Sequence, residues 1–260
     1  MPQETITNDP MSHLLSLGTP RVWSMLVTIF GDLAQGPQDR IVGPVLSNLT
    51  EHMQLKPEAV RVALHRLRQD DWISSQKTGR FASYGLTQNG RAQSRAVSPV
   101  IYSRPAEMPQ GWHMVLTSSN EAGQKDQLIK AGYTQLLPRV FFGADTLPLP
   151  SFAMPIAGTD APVWLSQQLQ NDASTDEFSN LLTVLARTQT SLGQQPSLDP
   201  VQTAVMRCLI VHHWRRLALR FPYLPPALTG PDWPGHGCRA AVTQLLDALP
   251  RPSLMDLSVK

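Results

Sequence analysis

Arg61, Arg66 and Arg68 stand with His65 in the stretch PEAVRVALHRLRQ, Pro57 to Gln69. Guanidinium forks suit two partners above others: phosphate oxygens and the O6/N7 edge of guanine. The spacing decides whether these side chains are free to meet either. At a helical turn of 100° per residue, Val60, Ala63, Leu64 and Leu67 fall within one narrow arc, with Arg61 and Arg68 flanking it. Glu58, Val62, His65 and Gln69 lie opposite, and Ala59 and Arg66 take the remaining side. A valine exposed among arginines is odd on a purely solvated face and suits the methyl group of thymine. The plain alternative is a basic helix that simply faces water. Against it stands a second basic point just downstream. WISSQKTGRFASYGLT reads as two extended stretches around Lys77-Thr78-Gly79, which puts Lys77 and Arg80 at a hairpin tip. Base readers are then expected among Glu58, Ala59, Arg61, Val62 and His65. Phosphate or minor-groove contacts are expected from Lys77 and Arg80, and further backbone contacts from Arg91 and Arg95.

The surrounding elements give those groups a frame. RVWSMLVTIFGDLA places Val22, Met25, Leu26, Ile29 and Leu33 on one face, with Thr19 as N-cap and Pro20 in the first turn. VGPVLSNLTEHM resumes helical spacing, QLK turns, and Pro57 opens the third helix. Three short helices followed by a hairpin are the order of a winged helix-turn-helix. Residues 1–18 read as a loose arm and 98–110 as a linker. GWHMVLT, NEAGQKDQLIKAGY, TQLLPRVFFG and FAMPIAG follow in a β-α-β-β order that hints at a ferredoxin-like unit. Helical spacing returns in EFSNLLTVLART, DPVQTAVMRCLIVHHWRRLALR and CRAAVTQLLDAL. The expectation is an α+β chain in three parts: a winged helix-turn-helix over 1–97, a small ferredoxin-like α/β centre over 98–158, and a helical C-terminal domain over 159–260.

Bulk properties narrow the function. A net charge of +2 with 16% charged residues excludes a uniformly basic coat, so any nucleic-acid contact is a local patch. No basic-then-apolar leader opens the sequence, and no apolar run is long enough for a bilayer, so a cytoplasmic protein without membrane contact is expected. Cys208 and Cys238 do not make a disulfide framework. With His212, His213 and His236 they raise the question of zinc, yet the spacing matches no usual zinc pattern and no metal is expected. Nucleophile elbows, P-loops, dinucleotide-binding glycine motifs and HExxH are all missing, so no catalytic residue is nominated and no enzyme is expected.

Four stretches occur in a telling order: TIFGDLAQG, KPEAVRVALHRLRQDDWISSQKTGR, YGLTQNG and HHWRRLALRFPYLPPALTGPDWPG. In these the sequence resembles the PaaX-like family, repressors of phenylacetic acid degradation. The resemblance implies a dimer on operator DNA that an aryl-CoA thioester, phenylacetyl-CoA, releases, with the central part used in dimerisation. It implies DNA contacts from Glu58, Ala59, Arg61, Val62, His65 and Arg66, and from Lys77, Gly79 and Arg80 of the wing. No cofactor is expected beyond that effector. Arg215, Arg216 and Arg220 suit a CoA phosphate, and Trp214 and Trp233, with Trp164 and Tyr223, an aryl pocket. The same arginines suit a structural ion-pair set or a solvated face, and the aromatics suit core or interdomain packing. Two other functions stay open beside the repressor: a scaffold that uses the winged helix for protein contacts, and an enzyme acting on CoA thioesters.

Overall fold

The structure is a computed structural model that describes residues 9–119, 121–158, 160–170, 172–194 and 197–257. In chain order the elements begin with α1 (Pro10–Leu15), α2 (Val22–Leu33), β1 (Ile41–Val42), α3 (Gly43–His52), α4 (Pro57–Gln69), β2 (Ile73–Thr78), β3 (Phe81–Leu86) and α5 (Gln88–Tyr102). Then come β4 (Trp112–Thr117), α6 (Ala122–Ala131), β5 (Thr134–Leu137), β6 (Val140–Ala144) and β7 (Ala153–Gly158). The chain continues with α7 (Val163–Leu169), α8 (Asp172–Leu192), α9 (Pro200–Ala218), α10 (Pro226–Thr229) and α11 (Pro234–Ala248). Helix and sheet are both present, as an α+β chain requires.

Two compact units emerge, and neither is one continuous segment. The first takes the chain through Tyr102, Thr183–Arg215 and everything from Ala241; the second takes Ser103–Leu182 and Arg216–Ala240. The compact units thus cut across the three consecutive parts expected from the sequence. The physical reason lies inside the first unit. Asp32 of α2 is fully buried and meets Arg207 of α9 at 3.1 Å, while the Trp214 indole donates to the Ile101 carbonyl at 2.9 Å. Part of the C-terminal helical region therefore completes the N-terminal core.

In the first unit α4 packs on α2, and Met25, Leu26, Ile29 and Phe30 meet a core that also holds Leu46, Leu49, Val60, Leu64 and Leu67. Helices α3 and α4 stop in the same way. Leu55 N–H bonds the Thr50 carbonyl and Gln54 N–H that of Glu51; Trp72 N–H bonds Leu67 and Asp71 N–H bonds Arg68. Each is a Schellman closure whose left-handed residue is not glycine: Gln54 has φ 58° and Asp71 φ 53°. The three-stranded sheet runs β1-β3-β2, all antiparallel, and Gly79 turns the β2–β3 hairpin at φ 60°.

The second unit is built on an antiparallel sheet of order β5-β6-β4-β7. Strand alternation gives it two greasy faces. Val115 and Phe141 pack with Leu128 of α6 and Tyr133; Trp112 and Phe142 pack with Leu165, Leu169, Leu224 and Leu228. Helix α6 ends in a third Schellman closure, this time with Gly132 at φ 105°.

Several expectations need correcting. The arm contains helix α1, capped by the Asp9 carboxylate, which accepts from Met11 and Ser12 N–H; residues 1–8 lie outside the described residues. Helix α2 starts at Val22, after an uncapped Arg21, so Thr19 and Pro20 are not its cap and first turn. The segment read as a linker is helical to Tyr102, across Pro99. Tertiary anchors hold that last turn: Ile101 is buried and the Tyr102 hydroxyl donates to Asp32 at 3.0 Å. Strand β1 and the short helices α7 and α10 did not show as periodic segments.

Candidate nucleic-acid interface

Helix α4 turns its stripe inward as the spacing requires: Val60, Ala63, Leu64 and Leu67 are buried. Pro57 begins the helix, where its missing N–H costs nothing, and Glu58 lies in the first turn. Arg61, His65, Arg66 and Arg68 are exposed, Ala59 is half-buried, and Val62 is 62% exposed. Arg61 reaches back to Glu58 at 3.0 Å in a wholly solvated pair, which fixes its direction without satisfying it. Arg68 leans toward the hairpin, Nη1 to Ser75 Oγ at 3.5 Å.

At the tip, Lys77, Gly79 and Arg80 are exposed, and the Arg80 guanidinium lies 4.9 Å over the half-open ring of Phe81. Among the described residues Arg66, Lys77 and Arg80 have no ion-pair partner, so their charge is available to an incoming anion. Arg91 is half-buried and its Nη1 donates to the Leu86 carbonyl at 2.6 Å. Arg95 is exposed. Two exposed groups were not nominated as contacts from the sequence, Lys56 and Phe81. A lysine directly before a helix-opening proline and an aromatic directly after the tip arginine were the signals. Lys56 and Arg61 line a cleft of about 550 Å³ between α3 and α4, together with Ser47 and Glu51.

The residues expected to hold an effector are not brought together within one unit. Trp214 and Arg215 belong to the first, Arg216, Arg220 and Trp233 to the second. Trp214 is core, its N–H taken by Ile101. Arg215 is half-buried, donates to Thr28 Oγ1 at 3.2 Å, and has its pKa lowered by burial. Arg216 is exposed, and Arg220 pairs with Glu177 at 2.7 Å while lying over Phe221. Trp233 packs edge-on against Phe178 and His236. Trp164 is exposed, and the Tyr223 hydroxyl donates to Pro109.

The cysteine and histidine set is likewise divided, with Cys208 and His212 in the first unit and His236 and Cys238 in the second. Burial drives the Cys208 thiol well above its ordinary range and Cys238 up to about 12. Burial, then the Arg239 guanidinium, brings His236 down to about 4. His113 is buried against Tyr133, Nε2 to hydroxyl 2.7 Å, and burial lowers its pKa. Among the described residues no helix is long and apolar enough to cross a membrane.

Comparison with known proteins bears on the same two regions. Residues 21–90 match the model of the PaaX-like protein family, and residues 169–255 match that of the PaaX-like protein C-terminal domain. The chain is also similar to the transcriptional repressor PaaX of Escherichia coli (strain K12), 24% identical over 270 residues that take in 91% of this chain and 83% of that protein. Both family matches and the full-length similarity point one way: the chain belongs to the PaaX-like family, whose members are transcriptional repressors and not enzymes.

Proposed function

We propose that this protein is a DNA-binding repressor of aromatic-acid catabolic genes of the phenylacetate type. It works in the cytoplasm as a homodimer on operator DNA, and an aryl-CoA thioester, phenylacetyl-CoA first among them, releases it. In this reading α2–α4 with β2 and β3 form a winged helix-turn-helix. The β4–β7 sheet with α6 is a ferredoxin-like unit in which a loop stands where the second helix would be.

One observation carries the proposal: α4 is anchored by Val60, Ala63, Leu64 and Leu67 and leaves Arg61, Val62, His65 and Arg66 outside, on the same unit as the basic hairpin tip. Glu58, Ala59, Arg61, Val62, His65 and Arg66 enter a major groove, where arginine forks read guanine and Val62 meets a thymine methyl. Lys77, Gly79 and Arg80 follow the backbone or the minor groove, and phosphate neutralisation makes the affinity salt-dependent. Release follows when thioester binding favours a dimer geometry whose reading helices no longer match the half-site spacing. Arg216, Arg220 and Trp233 are the effector candidates that remain; Trp214 serves the core.

The test is selection of bound duplexes from a random pool, with and without phenylacetyl-CoA and related thioesters. We expect a two-fold related site with half-site centres about 10 bp apart, or a multiple of it. Binding should fall steeply with salt and be lost with the matching thioester. Absence of any enriched site, or binding that ignores salt, overturns the reading and favours a protein-contact scaffold.

A further inference from the structure

We infer that Arg40, just before β1, is the positioning residue that sets the β2–β3 hairpin on the reading head, holding both strands without itself touching DNA. Its value for DNA binding rests on the function proposed above; the clamp itself does not.

The contacts are specific. Arg40 Nε donates to Ser83 Oγ at 3.1 Å and Nη1 to Ser74 Oγ at 3.3 Å. Nη2 donates to both main-chain carbonyls, Ser74 O at 3.0 Å and Ser83 O at 2.9 Å. One planar group thus grips β2 and β3 through side chain and backbone alike, using four of the five donors a guanidinium has. All four acceptors are neutral, and among the described residues Arg40 has no carboxylate partner.

The sheet is shaped to receive it. Ser74 stands opposite Gly85, and Ser83 lies two residues from Gly85, so the three small residues share one sheet face and form a trough. Gly85 is required by close approach: a Cβ there falls 2.6 Å from the Asp39 carbonyl oxygen, 3.2 Å from Arg40 Nη1 and 3.3 Å from its Cγ. Arg40 leads directly into Ile41–Val42, which pairs with Tyr84 and Ser83, so the clamp fastens the hairpin to the strand that opens α3. A side chain with one donor left is a poor phosphate ligand and a good brace. Lysine, a point charge with three donors, cannot copy the fork.

The experiment uses full-length Arg40→Lys, Arg40→Ala and Gly85→Ala. Gly85→Ala keeps every donor and acceptor but places a methyl against the Asp39 carbonyl oxygen and the Arg40 side chain. Without DNA, hydrogen exchange read by mass spectrometry should quicken in peptides covering β2 and β3 in all three, with α4 and α9 unchanged. On the selected duplex, Arg40→Lys should lose about tenfold in affinity with the salt slope of binding unchanged. Unchanged hairpin exchange in both Arg40 variants overturns the inference. So does an Arg40→Lys protein with full affinity beside an Arg40→Ala protein whose salt slope drops by about 1, the signature of a phosphate contact. If Arg40→Ala unfolds throughout, as quickened α9 exchange would reveal, the other two variants decide. A wild-type protein that binds no duplex sinks the proposed function, and the exchange experiment still judges Arg40.

Discussion

Helices α4 and α9 each carry three arginines, all exposed on α4 but with one, Arg207, buried on α9. In α4, Arg61, Arg66 and Arg68 are exposed and the apolar stripe does the packing. In α9, Met206, Leu209, Ile210 and Val211 are all buried, and Arg207 is drawn inside with them, while Arg215 is half-buried and Arg216 exposed. Arg207 is buried and holds Asp32 through two bonds of 3.1 Å, as well as the carbonyl oxygens of Leu246 and Leu249. The same side chain is thus solvent-facing on an amphipathic helix and, at Arg207, a structural brace on a buried one. What separates them is the hydropathy of the neighbours, not the arginines.

The contrast is most easily broken at its buried end. Asp32→Ala strands the Arg207 guanidinium in the core, and we expect a loss of about 3–5 kcal/mol in urea unfolding of the full chain. An unfolding midpoint equal to wild type would mean that α9 does not brace α2. At the exposed end, Arg61→Ala should leave stability within about 0.5 kcal/mol, since its pair with Glu58 is solvated, with side chains 72% and 74% exposed. The same change should cost about 1–3 kcal/mol of affinity for the selected duplex and relax its sequence choice. Full retention of both in a gel-shift titration removes α4 as the reading helix.

The second unit supplies a pH test. His236, bonded to Thr229 Oγ1 at 2.9 Å, has a folded pKa of about 4, below its unfolded value near 6.5. Its contribution is therefore whole above about pH 6.5 and is lost as pH falls toward 4, because the unfolded chain takes the proton first. His236→Gln should flatten the fall in urea midpoint between pH 6.5 and 4.5; parallel wild-type and variant curves would acquit this histidine. Smaller still, Lys77→Ala should weaken all duplexes alike and reduce the salt slope by about 1. Smallest is Gln54→Gly, which relieves a left-handed side chain at the α3 closure and should raise stability by about 0.5–1 kcal/mol in the same unfolding assay.

The exposed face of α4 was legible in the sequence because the helix is amphipathic: one arc of Val60, Ala63, Leu64 and Leu67 fixes which residues point outward. Strand β4, helix α6 and the long C-terminal helices were legible in the sequence as well. What stayed hidden is what depends on distant partners. Two residues of β1 carry no period, and only pairing with Tyr84 and Ser83 makes them a strand. The last turn of α5 crosses Pro99 because Asp32 and Trp214 hold it, contacts 70 and 113 residues away in sequence. Trp214, Arg215 and Arg216 offer ligand chemistry on paper, and nothing in their spacing tells that Trp214 is interior and Arg216 is not.

The Asp32–Arg207 pair also dictates an order of events during synthesis. Its two halves are separated by 175 residues, and Arg251 and the wholly buried Leu257 come later still. A ribosome that has released α2–α4 and the hairpin has not yet made the cation their core carboxylate needs. A fragment ending at Tyr102 is caught at that same moment, so a working DNA-binding piece of this protein must be carved from the whole unit, with its downstream helices, rather than snipped from the front.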